Sequence, residues 1–272
     1  MTRVSVPDLA IHLELQGDVG TLRWDEAGVD VGVLTRAVSL AADDAILGQG
    51  LRRLECEVLV SDWPGRRALQ RAGFRHEGVR RAVRMVEGAY VDAMLYARLA
   101  TDHVHGPLGF SAVMDTVLAT KRVIAHVLFT DTDGRVLLLQ TTYKSDYELP
   151  GGVVERGETP RAGAIREVAE EIGMLLNLGA PALVDWMPPS LGWSDAIEFI
   201  YDAGVLDEQT VGLLRLDPGE IRSAHWLGAD ELDGLVTELS ARRIRAILSA
   251  RQAGVRQGRA PAAVFTEDGR VH

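Results

Sequence analysis

The stretch that most constrains the fold of this chain is residues 152–174, which read GVVERGETPRAGAIREVAEEIGM. Thr159 is a favourable N-cap, Pro160 suits the first turn of a helix, and Gly173 suits the position just past a helix end. The pattern therefore predicts a glycine-containing loop that is followed by a helix from Pro160 to Ile172.

The two sides of this helix differ in polarity. At 100° per residue, its apolar residues gather on one side and three glutamates gather almost opposite. We expect the apolar side to pack in the core. The apolar side consists of Ala162, Ile165, Val168, Ala169 and Ile172, and the acidic side consists of Glu167, Glu170 and Glu171.

The acidic side needs an explanation, because like charges three or four positions apart on a helix repel each other by roughly 0.2–0.5 kcal/mol per pair. A bound cation would remove this repulsion, and carboxylate oxygens are ligands that suit Mg²⁺ or Mn²⁺. Mg²⁺ keeps waters and substrate phosphates in its remaining positions, so the pattern indicates phosphate chemistry. The alternative is a solvated acidic helix face.

The spacing in this stretch resembles the signature of the Nudix family, which is a glycine, five residues, a glutamate, seven residues and then Arg-Glu-apolar-x-Glu-Glu-x-Gly-apolar. Residues 122–140, with an Asp-Gly hairpin turn, and residues 217–235 resemble neighbouring parts of the same fold. The resemblance covers about residues 120–250 and implies an α/β (α+β) fold with a mixed sheet between helices. The matching positions are Gly152, Glu158, Arg166, Glu167, Glu170, Glu171 and Gly173.

The resemblance also implies roles for these residues. Arg166 and Glu158 would form an ion pair that fixes the loop against the helix. Water would attack one phosphorus of a nucleoside diphosphate linked to a moiety X, with Mg²⁺ or Mn²⁺ as cofactor. The predicted metal ligands are Glu167, Glu170, Glu171 and the carbonyl of Gly152. The proton acceptor is left open among Glu170, Glu171, Glu155, Glu220 and Glu231.

Substrate selection is expected to lie outside the signature. Tyr143, Lys144 and Tyr147 precede it and could supply aromatic stacking and a cation, although ordinary packing explains the tyrosines equally well. Trp186 and Trp193 belong to a loop with bulky residues that could form a binding lid.

Three features of the C-terminal half lead to further expectations. Glu198 lies in an apolar strand pattern and would be either a paired structural carboxylate or a site residue. The last helix, residues 239–250, carries basic residues at positions 242, 243 and 245, which we expect to form a solvated face. Residues 251–272 are rich in Gly, Arg and Ala, and we expect them to be partly disordered.

The N-terminal half has a different pattern. A helix at residues 32–47, a strand at residues 54–60, a helix at residues 66–72 and a hairpin within residues 74–99 are predicted from periodicity. Residues 62–99 resemble the closing part of a GNAT acetyltransferase. The chain is thus expected to begin with a half GNAT-like α/β domain at residues 1–104, followed by a linker at 105–118, the Nudix domain at 119–250 and a tail at 251–272.

This half departs from the GNAT pattern at the loop that would bind acyl-CoA. The family reads Gln/Arg-x-x-Gly-x-Gly/Ala there, whereas this chain keeps only Gly32 and has Leu34 where the phosphates would approach. Asp62 stands where the family usually has asparagine. Acetyltransferase activity is therefore not expected. A shortened sheet would leave a strand edge exposed, and we expect it to be covered by the Nudix domain or by a second copy of the chain in a homodimer.

Composition limits the classes of function. The chain has 272 residues, 47% of them hydrophobic and 25% charged, as in an ordinary globular protein. A net charge of −10 argues against a nucleic-acid duplex as the partner, and no apolar run is long enough for a membrane span. A single cysteine, Cys56, is typical of a cytoplasmic protein and is expected to be a buried small hydrophobe.

The leading interpretation is a metal-dependent hydrolase that acts on a small phosphorylated substrate. The alternatives are a Nudix-fold sensor that binds a nucleotide without turnover, and an acyl transferase that acts through the N-terminal half.

Overall fold

The computed structural model describes residues 2–6, 9–24 and 29–271, and the chain divides into two compact units, residues 1–119 and 120–272. Each unit has a mixed β-sheet and a hydrophobic core of its own. The predicted mixed α/β fold class is confirmed. Within the described ranges, no helix has both the length and the apolar character needed to cross a membrane.

The first unit contains a six-stranded sheet. Its strands are β1 (Thr2–Val6), β2 (Leu9–Gln16), β3 (Val19–Arg23), β4 (Arg53–Leu59), β5 (Arg75–Val86) and β6 (Ala89–Leu99), and its helices are α1 (Val31–Asp43), α2 (Trp63–Arg71) and α3 (Gly106–Met114). The strand order is β1-β2-β3-β4-β6-β5, in which β3 and β4 pair in parallel and all other neighbours pair antiparallel.

The predicted strand around Cys56 is confirmed, and its period of two explains its packing. Leu54, Cys56 and Val58 alternate with half-buried residues along β4 and point into the core. Burial raises the pKa of the Cys56 thiol well above its usual value. Cys56 therefore acts as a small hydrophobe, as predicted.

The expectation for Leu34 was wrong. Its side chain is 2% exposed and belongs to the core of the first unit, so it does not project into the loop before α1. Position 34 lies one turn into the helix, on the side that packs against the sheet. The N-terminus of α1 is instead capped by Asp30, whose carboxylate accepts hydrogen bonds from the N–H groups of Gly32 and Val33.

Residues 105–118, predicted as a linker, contain helix α3 and belong to the first unit. The N–H of His76 in β5 donates a hydrogen bond of 3.1 Å to the hydroxyl of Thr116. Gly109 of α3 packs so closely on the backbone of Val104 that an added Cβ would lie 2.6 Å from its carbonyl carbon. These contacts make the segment an integral part of the unit.

The second unit contains a nine-stranded sheet. Its strands are β7 (Arg122–Thr130), β8 (Val136–Thr141), β9 (Tyr147–Glu148), β10 (Gly151–Val153), β11 (Pro181–Met187), β12 (Ala196–Val205), β13 (Ile221–Leu227), β14 (Val264–Glu267) and β15 (Arg270–Val271), and its helices are α4 (Pro160–Ile172), α5 (Glu208–Val211) and α6 (Glu238–Arg256). The main order is β13-β8-β7-β12-β11-β14-β15, with β10 paired to β7 and β9 to β8.

The central strands are buried on both faces, which explains their unbroken apolar runs. On one face, Val127 and Leu139 pack with Val168 of α4. On the other face, Leu128 and Leu138 pack in a separate cluster that includes Ile244 of α6. The sheet therefore lies between helices, as predicted.

Two expectations for the C-terminal end were wrong. Helix α6 continues to Arg256, and β14 pairs in parallel with β11, so much of residues 251–271 is regular structure. Arg243 is only 3% exposed and does not belong to a solvated face. A 19-residue helix presents several positions to the sheet, and a basic residue can occupy one of them where buried carboxylates receive it.

One buried hydroxyl gives a stability prediction. Thr141 is 2% exposed, and its Oγ1 has no hydrogen-bond partner among the described residues. Because valine has the same shape without the unpaired hydroxyl, Thr141→Val should stabilise the protein by about 1 kcal/mol.

The matched control is Thr130→Val. Thr130 Oγ1 accepts a 2.8 Å hydrogen bond from Arg251 and is buried as well. We expect this variant to lose about 1 kcal/mol of stability in urea denaturation. Equal losses in both variants would refute the assignment of an unpaired hydroxyl at Thr141.

Candidate active site

Residues Gly151 and Gly152, called the Gly151 loop from here on, form one side of the candidate site. Strand β10 pairs antiparallel with β7, so that Gly151 lies opposite His126 and Gly152 lies opposite Ala125. Gly151 has a φ of 131°, and a Cβ at this position would lie 2.3 Å from the carbonyl oxygen of Ala125. Only glycine fits here without displacing the backbone.

Helix α4 has the predicted ends, and its faces differ from the prediction at Ala162 and Glu171. Thr159 caps it through a hydrogen bond from the N–H of Ala162, and Gly173 ends it at a φ of 70°. Ala162, expected in the core, is exposed, whereas Glu171 is buried. The buried residues are Gly163, Ala164, Val168, Glu171 and Ile172, of which Ala164, Val168 and Ile172 pack in the hydrophobic core.

Glu171 is the most perturbed carboxylate of this helix. It is 7% exposed, and its Oε2 accepts a 2.7 Å hydrogen bond from the N–H of Gly151. Burial, together with the negative charges of Glu167 and Glu220, raises its pKa to about 7, although the Gly151 hydrogen bond and the field of His126 oppose the shift. An ionised Glu171 therefore carries a large electrostatic cost.

Glu167 lies against the same loop. A Cβ on Gly152 would be 2.9 Å from the Glu167 carboxyl carbon, so the glycine allows this carboxylate to reach the backbone. The Glu167 carboxylate also accepts a 3.0 Å hydrogen bond from Nη1 of Arg166. Two carboxylates of α4 thus approach the Gly151–Gly152 turn from the helix side.

Arg166 connects the loop to the helix. Its Nε lies 3.1 Å from Glu158 Oε1, and its Nη2 donates to the carbonyl of Val153 at 3.2 Å. Its Nη1 also donates to Glu170 at 3.0 Å. The hydrogen bonds from Arg166 lower the pKa of Glu158. The ion pair expected between Arg166 and Glu158 is present, and its orienting role in catalysis stays a prediction.

The oxygen atoms near the Gly151 loop are of the type that binds a hard divalent cation. Glu167, Glu170, Glu171 and the Gly152 carbonyl offer only oxygen ligands, as Mg²⁺ and Mn²⁺ prefer. The buried Glu171 forms no ion pair within the described ranges. Within those ranges, no three Asp, Glu, His or Cys side chains converge as a preformed metal cluster. Arg166 forms ion pairs with two of the carboxylates, those of Glu167 and Glu170.

A buried ionic network lies behind the Gly151 loop. Nδ1 of His126 is 3.0 Å from Oε1 of Glu198, and Nη1 of Arg243 donates to Oε2 of the same glutamate at 2.5 Å. Arg243 also donates to Oδ2 of Asp185, through Nε at 2.8 Å and through Nη2. Of the two alternatives left open for Glu198, the structure shows a paired carboxylate.

The charges of this network shift the pKa values of His126 and Glu198. Burial opposes the charged form of His126, but the attraction and the hydrogen bond of Glu198 outweigh it and raise the pKa of His126. Burial likewise opposes the charged form of Glu198, yet His126 and Arg243 hold its pKa below the usual value. Neither His126 nor Asp185 was predicted from the sequence. The available signal was one ionisable residue in the interior of each apolar strand, His126 in RVIAHVLFT and Asp185 in PALVDWM.

The residues predicted to bind substrate before the loop are grouped around β9. Tyr147 stacks on His225 at a centroid distance of 4.6 Å, and Lys144 forms a 2.6 Å ion pair with Glu148. Tyr143 is exposed, and its pKa is raised by partial burial and by negative charges that include those of Glu148 and Glu171. Tyr143 therefore lies within the field of the acidic site. Its contact with substrate stays a prediction.

The two tryptophans lie at the β11–β12 hairpin. The Trp193 ring is 4.8 Å from the guanidinium carbon of Arg122, and the Trp186 carbonyl accepts a hydrogen bond from the N–H of Asp268. Both side chains are substantially exposed. Their predicted role in a lid stays a prediction.

Parts of this chain are similar to known proteins. Residues 120–248 match the NUDIX domain model. A MutT-like protein from Streptomyces ambofaciens is 50% identical over 46 residues, which cover 17% of this chain and 30% of that protein. The match thus spans less than a third of that relative.

Two solved structures show more distant similarity. The MutT protein from Methanosarcina mazei Go1 is 22% identical with a TM-score of 0.41, and the alignment covers 48% of this chain and 96% of that one. A ribosomal-protein-S5-alanine acetyltransferase from Vibrio fischeri is 19% identical with a TM-score of 0.31, and the alignment covers 35% and 54%.

The residues matched by the family model start with the second unit, contain the Gly151 loop and all of α4, and end within α6. The second unit of this chain is therefore a NUDIX domain.

Proposed function

We propose that the NUDIX domain is a Mg²⁺- or Mn²⁺-dependent hydrolase that cleaves the phosphoanhydride of a nucleoside diphosphate linked to a moiety X. The observation that carries the proposal is Glu171, a buried carboxylate with a pKa of about 7 that lies next to Glu167 and forms no ion pair among the described residues. A divalent ion at these oxygens would offset the cost of keeping Glu171 ionised.

The side chains and backbone groups of the site have different roles in the proposed reaction. Glu167, Glu170, Glu171 and the Gly152 carbonyl would hold the ion, which would activate water and neutralise charge on the bridging oxygens. Arg166 keeps the loop against α4 through Glu158 and Val153. The N–H of Gly151 fixes the orientation of the Glu171 carboxylate.

The position of Glu220 favours it over Glu231 as a proton acceptor outside α4. The carbonyl of Glu220 accepts from the N–H of Thr142, and the charge of Glu220 raises the pKa of Glu171. Glu231 instead closes a turn by accepting from the N–H of Gly228, next to the end of β13 that pairs with the start of β8. Glu170 and Glu171 remain candidates by their place on α4.

The test is a substrate panel with Mg²⁺ and Mn²⁺. Nucleoside triphosphates, ADP-ribose, NAD, dinucleoside polyphosphates and nucleotide sugars should include at least one compound that the protein converts into two phosphorylated products. Glu170→Gln should lower that turnover by about 100-fold, as for other major electrostatic groups.

The panel also separates catalysis from sensing. A nucleotide sensor would bind one of these compounds in calorimetry and release no product with either metal, and this result would overturn the proposed hydrolase. Unchanged turnover in both Glu170→Gln and Glu171→Gln would overturn the assignment of the site.

A further inference from the structure

The C-terminal segment beyond the family match makes specific contacts with the buried network. Oδ1 of Asp185 accepts a 2.6 Å hydrogen bond from the hydroxyl of Thr266 in β14 and a 2.9 Å hydrogen bond from the N–H of Gly269 in the following turn. Asp185 is fully buried, so water cannot reach its carboxylate, and these two donors supply the hydrogen bonds that Oδ1 needs.

The other oxygen of Asp185 fixes Arg243. Nε and Nη2 of the guanidinium both donate to Oδ2, which leaves Nη1 directed at Glu198. A guanidinium held in this way has a single orientation, because its donors are fixed in one plane. The position of Glu198 therefore depends on Asp185, although the two carboxylates lie on different strands.

Glu198 in turn fixes His126, whose ring touches the site loop. Oε1 of Glu198 lies 3.0 Å from Nδ1 of the imidazole. A Cβ on Gly151 would be 2.9 Å from Cδ2 of His126, so the ring supports Gly151 from the face opposite α4. The N–H of Gly151 is the group that holds Glu171.

These contacts form one continuous path from the end of the chain to the buried glutamate. We infer that residues 264–269 are a positioning element of the site, which acts through Asp185, Arg243, Glu198 and His126 to fix the Gly151 amide that orients Glu171. The inference rests on the proposed function of the site and adds residues that lie outside 120–248. The residues of this element, and the four side chains through which it acts, are positioning residues, since none touches the reacting atoms.

The direct test is amide hydrogen exchange of Gly151 in the metal-free protein, measured by NMR for Asp185→Asn. Asparagine keeps the shape but loses the charge that aligns Arg243. Exchange at Gly151 should accelerate by about tenfold or more, and Mn²⁺ affinity should fall by a similar factor, as for other partners that orient metal ligands. The amide of Val168 in the core of α4 should keep its exchange rate.

The control is Asp202→Asn, which breaks a comparable carboxylate pair with a different arginine of α6, Arg251. This variant should leave exchange at Gly151 and Mn²⁺ affinity unchanged. Equal acceleration at Gly151 in both variants, or no change in either, would overturn the inference.

A milder set of variants applies if Asp185→Asn does not fold. Thr266→Val removes one donor to Asp185 and should accelerate exchange at Gly151 severalfold, whereas Thr266→Ser should restore the wild-type rate and Thr130→Val should have no effect there. A wild-type rate in folded Thr266→Val would also overturn the inference. Failure of the wild-type protein to hydrolyse any substrate bears on the proposed function alone, because exchange is measured without metal or substrate.

Discussion

Replacement of Glu171 by glutamine is expected to lower turnover by about 100-fold or more and, at the same time, to stabilise the metal-free protein. Activity falls because the neutral amide is a poor ligand for the metal and cannot accept a proton. The side-chain carbonyl of the new glutamine can still accept the hydrogen bond from Gly151, so the loop keeps its position. The loss should appear in kcat with the substrate that the panel identifies.

The gain in stability follows from the direction of the pKa shift. The folded-state pKa of Glu171 is about 7, above its usual value of 4.5, so the folded protein binds this proton more tightly than the unfolded chain. The cost of ionising Glu171 is fully present above pH 7 and disappears as the pH falls towards 4.5. It amounts to about 3 kcal/mol at pH 8.

Thermal unfolding at two pH values measures this cost. With metal removed by chelation, Glu171→Gln should unfold several degrees above the wild-type protein at pH 8, and most of that difference should vanish at pH 5. The exposed Glu238 provides the control, because Glu238→Gln should change neither turnover nor this pH dependence. A Glu171→Gln variant that is less stable than the wild type at pH 8 would show that burial does not penalise this carboxylate.

Gly151→Ala is expected to have the second large effect. The new methyl group would lie 2.3 Å from the Ala125 carbonyl oxygen, at a φ of 131° that alanine rarely adopts. The two penalties together should destabilise the protein by about 3 kcal/mol. Displacement of the loop should lower kcat by about 100-fold even where the variant stays folded, because reacting groups tolerate little misplacement.

Gly134→Ala is the matched control for this prediction. Gly134 has a φ of 80° in the β7–β8 hairpin, but no atom lies within 4 Å of its added Cβ. We expect this variant to lose about 1 kcal/mol from backbone strain and to keep its activity. Denaturant titration and kinetics on both variants make the comparison, and equal effects would mean that close approach to Ala125 is not what requires glycine at position 151.

The sequence was sufficient for features that depend on nearby residues. The ends of α4 follow from Thr159, Pro160 and Gly173, whose effects are local, and the structure has the same ends. The β5–β6 hairpin and the alternation along β4 were also predicted correctly, because strand period and turn residues are local signals.

The sequence was not sufficient where distant segments decide the environment. The helix period placed Glu171 with the other glutamates, and only the pairing of β10 with β7 provides the Gly151 amide that allows its burial. Arg243 was predicted to be one of several basic residues on a solvated helix. Its burial depends on Asp185, which is 58 positions away in the chain. Neither the Gly151–Glu171 contact nor the Asp185–Arg243 contact can be predicted from residues that are close in the sequence.

The most direct test of the metal site is Mn²⁺ binding, followed by electron paramagnetic resonance, in the wild-type protein, Glu171→Gln and Glu238→Gln. We expect the wild type and Glu238→Gln to bind Mn²⁺ with equal affinity, and Glu171→Gln to bind it about 10- to 100-fold more weakly. Equal affinity in all three proteins would contradict the claim that the carboxylates of α4 hold the metal.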